Sequence, residues 1–321
     1  MLPEWGTSSS SPPSAWGRER KTSSWRSPLP PPRRPPLTPM TPTQVDADIV
    51  QKAYREMPNY LIDYDKEASS KEYCAIYFSS NNIYTPNEEQ AFRYRIVEKN
   101  SFEWYGLRVR KAYKHIFVRD IFKQWYLKGI NADIDTPEKL YSFLKQETEG
   151  MKVVCMGSSA GGYAAILYGS LLGAERVIAF NAQFELRSLI ASDDEAKNPL
   201  VYRVLNTEYE KYLELPDVAD MGRTEVFLFQ SIKSKWDILQ NEYIKDTLPI
   251  HKIRFRSSIH GVPFLKVSIP VIYEMESSEL IKYKKKINNP VMFTIKMVGI
   301  IKTIIGFIQQ YKAHIERIRK Q

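Results

Sequence analysis

Cysteine is almost absent from this sequence, which has only Cys74 and Cys155 among its 321 residues. Both lie inside apolar runs typical of strands, so the sequence excludes a disulfide framework and a metal site built from several cysteines, and a reducing compartment fits best. Long apolar runs are also absent. No uninterrupted stretch approaches the roughly 18 residues that a membrane-spanning helix needs, and no apolar segment follows the N-terminal charges. We therefore expect neither a membrane-spanning nor an exported chain.

Acidic residues are scarce at both ends of the chain. Residues 1–40 carry six Lys or Arg against two Glu, a net charge of +4, and residues 281–321 carry ten against Glu316 alone, a net charge of +9. Because the whole chain has a net charge of +9, residues 41–280 have a net charge of −4. A phosphate-binding groove needs basic residues clustered on a folded surface, so we expect no nucleic-acid partner.

The first 40 residues contain ten of the twenty prolines and a run of four serines. Such a segment cannot bury enough apolar surface to offset the entropy lost on ordering, and it predicts a disordered leader with local polyproline II character. Three interpretations of this segment stay open: a Pro-rich ligand for a partner's aromatic groove, an unstructured leader, or sequence upstream of a start at Met40. We assign the segment no catalytic role.

From residue 41 the composition is that of a folded protein, with 43% hydrophobic and 26% charged residues over the whole chain. Strand-like runs lie at residues 73–78, 115–118, 152–156, 176–180, 225–229 and 252–256. Helical patterns lie at residues 44–55, 137–147, 162–172 and 238–247. Alternating strands and helices predict an α/β fold, with a mostly parallel sheet covered on both faces, over residues 41–280.

Residues 152–165 carry the most informative motif, a strand followed by Gly-x-Ser-x-Gly and a helix of small residues. A nucleophile at such a turn has a strained backbone, so small residues must flank it; Gly157 and Gly161 meet this need and select Ser159 as the nucleophile. The alternative interpretation is a tight bend or a phosphate-binding turn.

A serine needs a base to take its proton and an acid to orient that base. Of the four histidines, His260 directly follows the last predicted strand and is the candidate base; the others are His115, His251 and His314. Asp237, after the preceding strand, is the candidate acid, although it could equally be only a helix cap. Weaker candidates for the acid are Asp193, Asp194 and Glu242.

Two places in the sequence are candidates for binding an oxyanion. The backbone N–H of Ala160 begins the helix behind Ser159, where free N–H groups point towards a developing negative charge. The second donor is expected in the small polar loop after residues 73–78, at Ser80 or Asn81, although ordinary turn chemistry explains the same residues. No metal site is expected.

The chain order strand, Gly-x-Ser-x-Gly, helix, Asp and His is similar to the α/β-hydrolase superfamily over about residues 60–266. More narrowly, residues 117–120, 124–126, 157–165 and His260-Gly261 resemble a bacterial group that acts on cell-surface polysaccharides. That group includes capsule O-acetyltransferases and the O-acetylation proteins of accessory secretion systems. The resemblance implies an acetyl group moved from acetyl-CoA to a sugar hydroxyl, with Ser159 as nucleophile, His260 as base and Asp237 as acid. The long basic C-terminal extension departs from this pattern.

Residues 281–321 predict a basic amphipathic helical tail. At 100° per residue from Lys296, the apolar residues of 296–310 fall between about 20° and 200°. With basic residues on both sides, this helix is expected to make peripheral contact with an anionic membrane. The alternative is a helix packed on its own domain or on a second copy of the chain.

These observations predict a cytoplasmic enzyme, peripheral at the inner membrane face, that O-acetylates a capsular or other surface polysaccharide through an acyl-enzyme on Ser159. No tightly bound cofactor is expected, and acetyl-CoA is the expected acyl donor. Two alternatives stay open. The same triad with water as acceptor is a carbohydrate esterase, and the fold without catalysis is an assembly protein of a polysaccharide or secretion system.

Overall fold

The computed structural model of the chain describes residues 45–190, 195–219, 222, 224–244 and 249–319. Its centre is a seven-stranded sheet in the order β1-β3-β2-β4-β5-β6-β7. The strands are β1 Tyr60–Tyr64, β2 Tyr73–Phe78, β3 Lys114–Val118, β4 Lys152–Ser158, β5 Arg176–Phe180, β6 Glu225–Ser231 and β7 Ile250–Phe255. Only the edge pair β1 and β3 is antiparallel among these strands; all other neighbours are parallel.

Ten α-helices flank this sheet in the described part of the chain. They are α1 Asp48–Glu56, α2 Glu89–Phe92, α3 Pro137–Glu147, α4 Ala160–Leu171, α5 Pro199–Arg203, α6 Leu215–Val218, α7 Lys235–Glu242, α8 Ile269–Glu274, α9 Ser277–Ile281 and α10 Pro290–Arg319. A π-helical segment, Arg93–Glu98, directly follows α2, and short 3-10 turns lie at Arg187–Leu189, Glu208–Leu213, Lys266–Ser268 and Lys282–Lys285.

The two faces of the sheet carry two separate apolar clusters, because alternate side chains of a strand point in opposite directions. In β2, Cys74, Ile76 and Phe78 pack with α3 and α4 on one face. Ala75 and Tyr77 belong to the other cluster, together with residues of α8, α9 and α10. The structure is therefore an α/β sandwich of three layers of the α/β-hydrolase type, and it confirms the fold class predicted from the sequence.

The last helix, α10, bends at Gly299, whose backbone (φ 78°, ψ 169°) is not helical. Phe293, Thr294 and Thr303 are buried against the rest of the protein, while most side chains beyond Gly299 are exposed. Residues Pro290–Lys312 are long and apolar enough to cross a membrane by length and composition. Counting uninterrupted apolar runs missed this property, because Lys296 and Lys302 interrupt the run without making its average composition polar.

The predicted disordered leader at residues 1–40 lies outside the described residues and stays a prediction. The proposed division between residues 41–280 and 281–321 stays a prediction too.

Candidate active site

Ser159 lies at the turn between β4 and α4, where the chain reverses within one residue. Its backbone (φ 54°, ψ −124°) is in a strained region, which costs about 1–3 kcal/mol and persists only where the surroundings impose it. Close backbone contacts around Gly157 and Gly161 impose this conformation. A Cβ on Gly157 would lie 2.1 Å from the carbonyl oxygen of Gly161, and one on Gly161 would lie 2.3 Å from that of Phe78. The glycines therefore allow α4 to reach the strands at the nucleophile.

The structure brings the three predicted residues together in a continuous chain of hydrogen bonds. Ser159 Oγ lies 2.8 Å from His260 Nε2, and His260 Nδ1 lies 2.7 Å from Asp237 Oδ1. Because an ionised carboxylate only accepts, Nδ1 carries the proton and Nε2 is left to accept from the serine hydroxyl. Asp237 is 2% exposed, whereas 39% of the His260 side chain is exposed. The geometry is that of a serine activated by an oriented imidazole.

Asp237 lies in the first turn of α7, three residues after the N-cap Ser234, so it is not the helix cap of the alternative interpretation. The hydroxyl of Ser234, at the N-cap, accepts from Asp237 N–H at 3.4 Å. Of the weaker candidates for the acid, Glu242 is an exposed residue at the end of α7, and Asp193 and Asp194 lie outside the described residues.

The other histidines are engaged elsewhere, or their side chains are not described. His115 is buried in β3, where its Nδ1 lies 2.9 Å from the hydroxyl of Tyr77, and burial lowers its pKa. His251 lies in β7, 3.9 Å from Glu225. The His314 side chain is outside the described part of the chain. Only His260 is thus found beside Ser159 among the described histidines.

Asn181, which the sequence analysis missed, holds the loop that carries His260. Its amide nitrogen donates to the carbonyl oxygens of Ile259 at 3.1 Å and Gly261 at 2.6 Å, the two neighbours of the histidine. Its amide oxygen accepts from Ser231 N–H at 2.8 Å, and the Ser231 hydroxyl donates to Ile259 O at 2.7 Å. Asn181 therefore ties the end of β5 to the end of β6 and to the base. The only sequence signal was its position directly after a strand.

Gln183, also missed, places an amide next to Ser159. Its Nε2 lies 3.2 Å from Ser159 Oγ and 3.4 Å from His260 Nε2, and its Oε1 accepts from Trp125 Nε1 at 3.2 Å. The amide oxygen also lies 3.4 Å from Ser159 Oγ, so both ends of the amide are close to the serine. The arrangement places a neutral amide beside both Ser159 and His260.

The loop after β3 is organised by Asp120, a buried carboxylate. It accepts hydrogen bonds from the backbone N–H groups of Phe122 at 2.9 Å, Gln124 at 2.7 Å and Tyr126 at 2.9 Å. Burial raises the pKa of Asp120 to about 6, while these hydrogen bonds act in the opposite direction. Trp125 and Tyr126 both have positive φ angles, which explains why the loop needs an internal acceptor. This loop sets the position of Trp125, and through it that of Gln183.

The two predicted oxyanion sites differ in their availability. Ala160 is the first residue of α4, and the Ser159 side chain makes no capping hydrogen bond to the helix. The N–H group of Ala160 therefore meets the requirement for an oxyanion donor. In contrast, the N–H group of Ser80 already donates to the carboxylate of Glu103 at 2.7 Å. This carboxylate is remote in sequence, so the sequence did not indicate that it takes up the donor predicted at Ser80. No acceptor for Asn81 N–H is seen among the described residues, which makes Asn81 the better second candidate.

Ser159 and His260 open into a cavity of about 1060 Å³. Trp125 and Trp236 provide aromatic surface in its wall, and Ser80, Asn81 and Glu103 provide polar groups. Three exposed basic residues, Lys233, Arg256 and Lys266, lie around the same cavity. Residues from both halves of α10 complete the wall: Pro290, Val291, Phe307 and Gln310. The site can hold a ligand with both apolar and anionic groups.

No protein-family model matches the sequence, and no curated protein matches it. Among solved structures, the chain is similar to the capsule O-acetyltransferase of Neisseria meningitidis serogroup A, with 14% identity and a TM-score of 0.45 over 71% of this chain and 93% of that chain. A variant of that acetyltransferase in complex with CoA gives 15% identity and a TM-score of 0.42 over 72% and 90%. An S-formylglutathione hydrolase from Agrobacterium tumefaciens gives 12% identity and a TM-score of 0.37 over 71% and 90%. At such low similarity, function has to be derived from the site itself.

Proposed function

We propose that the protein is an acyl-transfer enzyme that forms an acyl-enzyme on Ser159, with acetyl-CoA as donor and a saccharide hydroxyl of a surface polysaccharide as acceptor. The observation that carries the proposal is the contact of Ser159, His260 and Asp237 at a strained strand-to-helix turn. A hydrogen-bonded serine and histidine at such a turn have no structural need for each other, whereas nucleophilic catalysis needs both.

In the first half-reaction, Ser159 Oγ attacks the thioester carbonyl while its proton moves to His260 Nε2. The negative charge that forms on the carbonyl oxygen is stabilised by Ala160 N–H and by Asn81 N–H, the better of the two candidates for the second donor. The C–S bond then breaks, the proton passes from His260 to the leaving thiolate, and CoA leaves as a thiol. Asp237 stabilises the imidazolium throughout.

In the second half-reaction, the acceptor hydroxyl gives its proton to His260 and its oxygen attacks the acyl-enzyme. Collapse of the second tetrahedral intermediate forms the sugar ester, and His260 returns the proton to Ser159. The net reaction converts a thioester and an alcohol into an ester and a thiol.

The charge around the cavity supports a phosphate-bearing donor. Lys233, Arg256 and Lys266 are exposed beside the cavity, while residues 41–280 as a whole carry a net negative charge. Basic side chains at this one place favour an anionic ligand, and CoA carries phosphates remote from its thioester.

A carbohydrate esterase is the second candidate. The exposure of His260 allows water to reach the base, and water in place of the sugar hydroxyl turns the second half-reaction into hydrolysis. We also propose a cytoplasmic location, since both cysteines are unpaired and an acyl-CoA donor is available there.

The test compares the wild type with Ser159→Ala in acetyl-CoA and candidate capsule polymers. Thiol release, acetylation of the intact protein and polymer mass are measured. Ser170→Ala, near the end of the helix that Ser159 precedes, is the matched control, because it makes the same substitution at a buried serine away from His260. We expect Ser159→Ala to lose all three signals and Ser170→Ala to keep them. Thiol release without a gain in polymer mass shows that water replaces the sugar hydroxyl as acceptor, and full activity of Ser159→Ala rejects the mechanism.

A further inference from the structure

The second half of α10 is packed with its polar and small residues inward and its large apolar residues outward. Thr303 is buried, and Gly306 approaches the domain so closely that a Cβ there would lie 2.8 Å from Val267 Cγ1. The outward residues are between 46% and 75% exposed: Ile300, Ile301, Ile304, Ile305, Phe307, Ile308 and Tyr311. At 100° per residue they span an arc of roughly 160°, with Thr303 and Gly306 on the opposite side.

This orientation is the reverse of that found in an ordinary surface helix, which turns its apolar side to the core. The close contact at Gly306 fixes the orientation, because a larger residue there would hold the helix away from Val267. Contiguous apolar surface of this kind marks a site that another apolar phase covers. We name the seven outward residues the outer face.

The charge around the outer face identifies what covers it. Residues 281–321 contain ten Lys or Arg and the single acidic residue Glu316. Two copies meeting through a two-fold axis would bring the same basic segments together and repel each other. An anionic lipid surface attracts those residues and accepts the isoleucines into its hydrocarbon boundary.

The outer face also reaches the catalytic cavity. Phe307 belongs to the outer face and lines the cavity that contains Ser159 and His260, and Gln310 lies one turn further along. A bilayer covering the outer face therefore lies next to the cavity wall. A substrate that reaches the cavity from the bilayer does not have to leave its lipid anchor.

We propose that the outer face seats the protein on an anionic bilayer, with the catalytic cavity at the lipid surface, so that the acyl acceptor is a lipid-anchored saccharide. The helix is expected to lie in the membrane plane, because Thr303 and Gly306 keep it on the domain. The inference rests on the proposed acyl-transfer function for the chemistry, and on the outer face for the location of the substrate.

The test uses the full chain and three measurements. The first is sedimentation with vesicles of phosphatidylcholine alone or with added phosphatidylglycerol. The second is hydrolysis of 4-nitrophenyl acetate in solution, which reports only on the proposed function. The third is release of acetate from hexadecyl acetate held in the anionic vesicles, which needs the same chemistry at a lipid surface.

The test variant is Ile301→Gln/Ile304→Gln, and the control is Tyr64→Gln/Val97→Gln, which removes exposed apolar side chains from β1 and the Arg93–Glu98 segment. We expect the wild type and the control to bind anionic vesicles, with binding that weakens as salt rises. The test variant should lose binding and hexadecyl acetate turnover by about tenfold or more, with unchanged 4-nitrophenyl acetate turnover.

Unchanged vesicle binding of the test variant overturns the proposal, and so does lost binding with unchanged hexadecyl acetate turnover. A wild type that is dimeric, becomes monomeric in the test variant and never binds vesicles shows that a second copy covers the outer face. If 4-nitrophenyl acetate is not hydrolysed while vesicle binding follows the expected pattern, the proposed acyl-transfer function is rejected. The proposed binding of the outer face to an anionic bilayer is then retained.

Discussion

A substitution of Asn181 tests directly whether its hydrogen bonds to the loop set the position of His260. Asn181→Asp keeps the shape of the side chain, its tolerance of a positive φ and its acceptor for Ser231 N–H. In this variant, a carboxylate oxygen takes the place of the amide nitrogen that donates to Ile259 O and Gly261 O. The hydrogen bonds to both carbonyl oxygens are lost, together with the 3.1 Å bond to Ser231 Oγ, and the two carbonyl groups face a buried negative charge. Ile259 O keeps its hydrogen bond from the Ser231 hydroxyl, so the bond lost there costs about 1 kcal/mol, whereas Gly261 O is left unsatisfied at a cost of about 1–3 kcal/mol. The free energy of unfolding should therefore fall by roughly 2–4 kcal/mol.

Turnover should fall more than stability alone explains. A base displaced by about 1 Å costs on the order of 100-fold in rate, so we expect kcat for a soluble ester to fall by that amount with little change in KM. Steady-state kinetics and urea unfolding measure the two effects. Ser231→Ala is the control, because it removes the 2.7 Å bond to Ile259 O but keeps both Asn181 donors, and its effects should be several-fold smaller. If Asn181→Asp keeps the kcat of the wild type, the loop is positioned by other contacts and the reasoning is refuted.

Three further predictions follow from the site. Asp237→Asn should leave the fold intact but lower kcat by about four orders of magnitude, because it favours the wrong tautomer of His260. If steady-state assays show retained activity, another residue is the acid. Burial raises the pKa of Asp120 to about 6, so the folded state holds this proton more tightly than the unfolded chain, and the free energy of unfolding falls by up to about 3 kcal/mol as pH rises from about 4 to about 6. Asp120→Asn should remove that part of the pH dependence in urea unfolding, and an unchanged slope would contradict it. Gly157→Ala should not yield soluble folded protein, because its Cβ would lie 2.1 Å from Gly161 O; a normal circular dichroism spectrum and melting curve would show that the turn can relax.

Much of the fold could be predicted because the buried strands are continuous apolar runs. All six predicted strands are present, with ends shifted by no more than two residues. The missed strand, Tyr60–Tyr64, is an edge strand with no fully buried residue, so neither a continuous apolar run nor a clear alternation marked it.

The same limit applies to the site. Ser159 directly follows β4, and Asp237 and His260 come within six residues after the ends of β6 and β7. The parallel sheet brings such positions to one edge. Asn181 contacts Ser231, 50 positions away, and Gln183 contacts Ser159 and Trp125, 24 and 58 positions away, so no local pattern reveals either residue. Ser80 was predicted as an oxyanion donor because the carboxylate that takes up its N–H group cannot be recognised from sequence spacing.

The direction of the apolar side of α10 was likewise beyond the sequence. Its angular pattern was visible, but whether that side faces the domain depends on which residues fit against Val267. The small side of the helix fits there, which leaves the isoleucines outside.

The two cysteines leave the folded protein unreactive towards thiol reagents. Cys74 and Cys155 are both fully buried on the same face of the sheet, on the neighbouring strands β2 and β4. Burial raises the pKa of Cys74 to about 12 and that of Cys155 well above its ordinary value, so neither forms the reactive thiolate in the folded protein. In an assay of the proposed function, a colorimetric thiol reagent would therefore detect CoA released from the donor without a background from the protein's own cysteines. The same reagent, added during denaturation, reports the moment at which the centre of the sheet opens. A single cysteine introduced on the outer face would be the one labelled position, ready for a fluorophore that senses lipid.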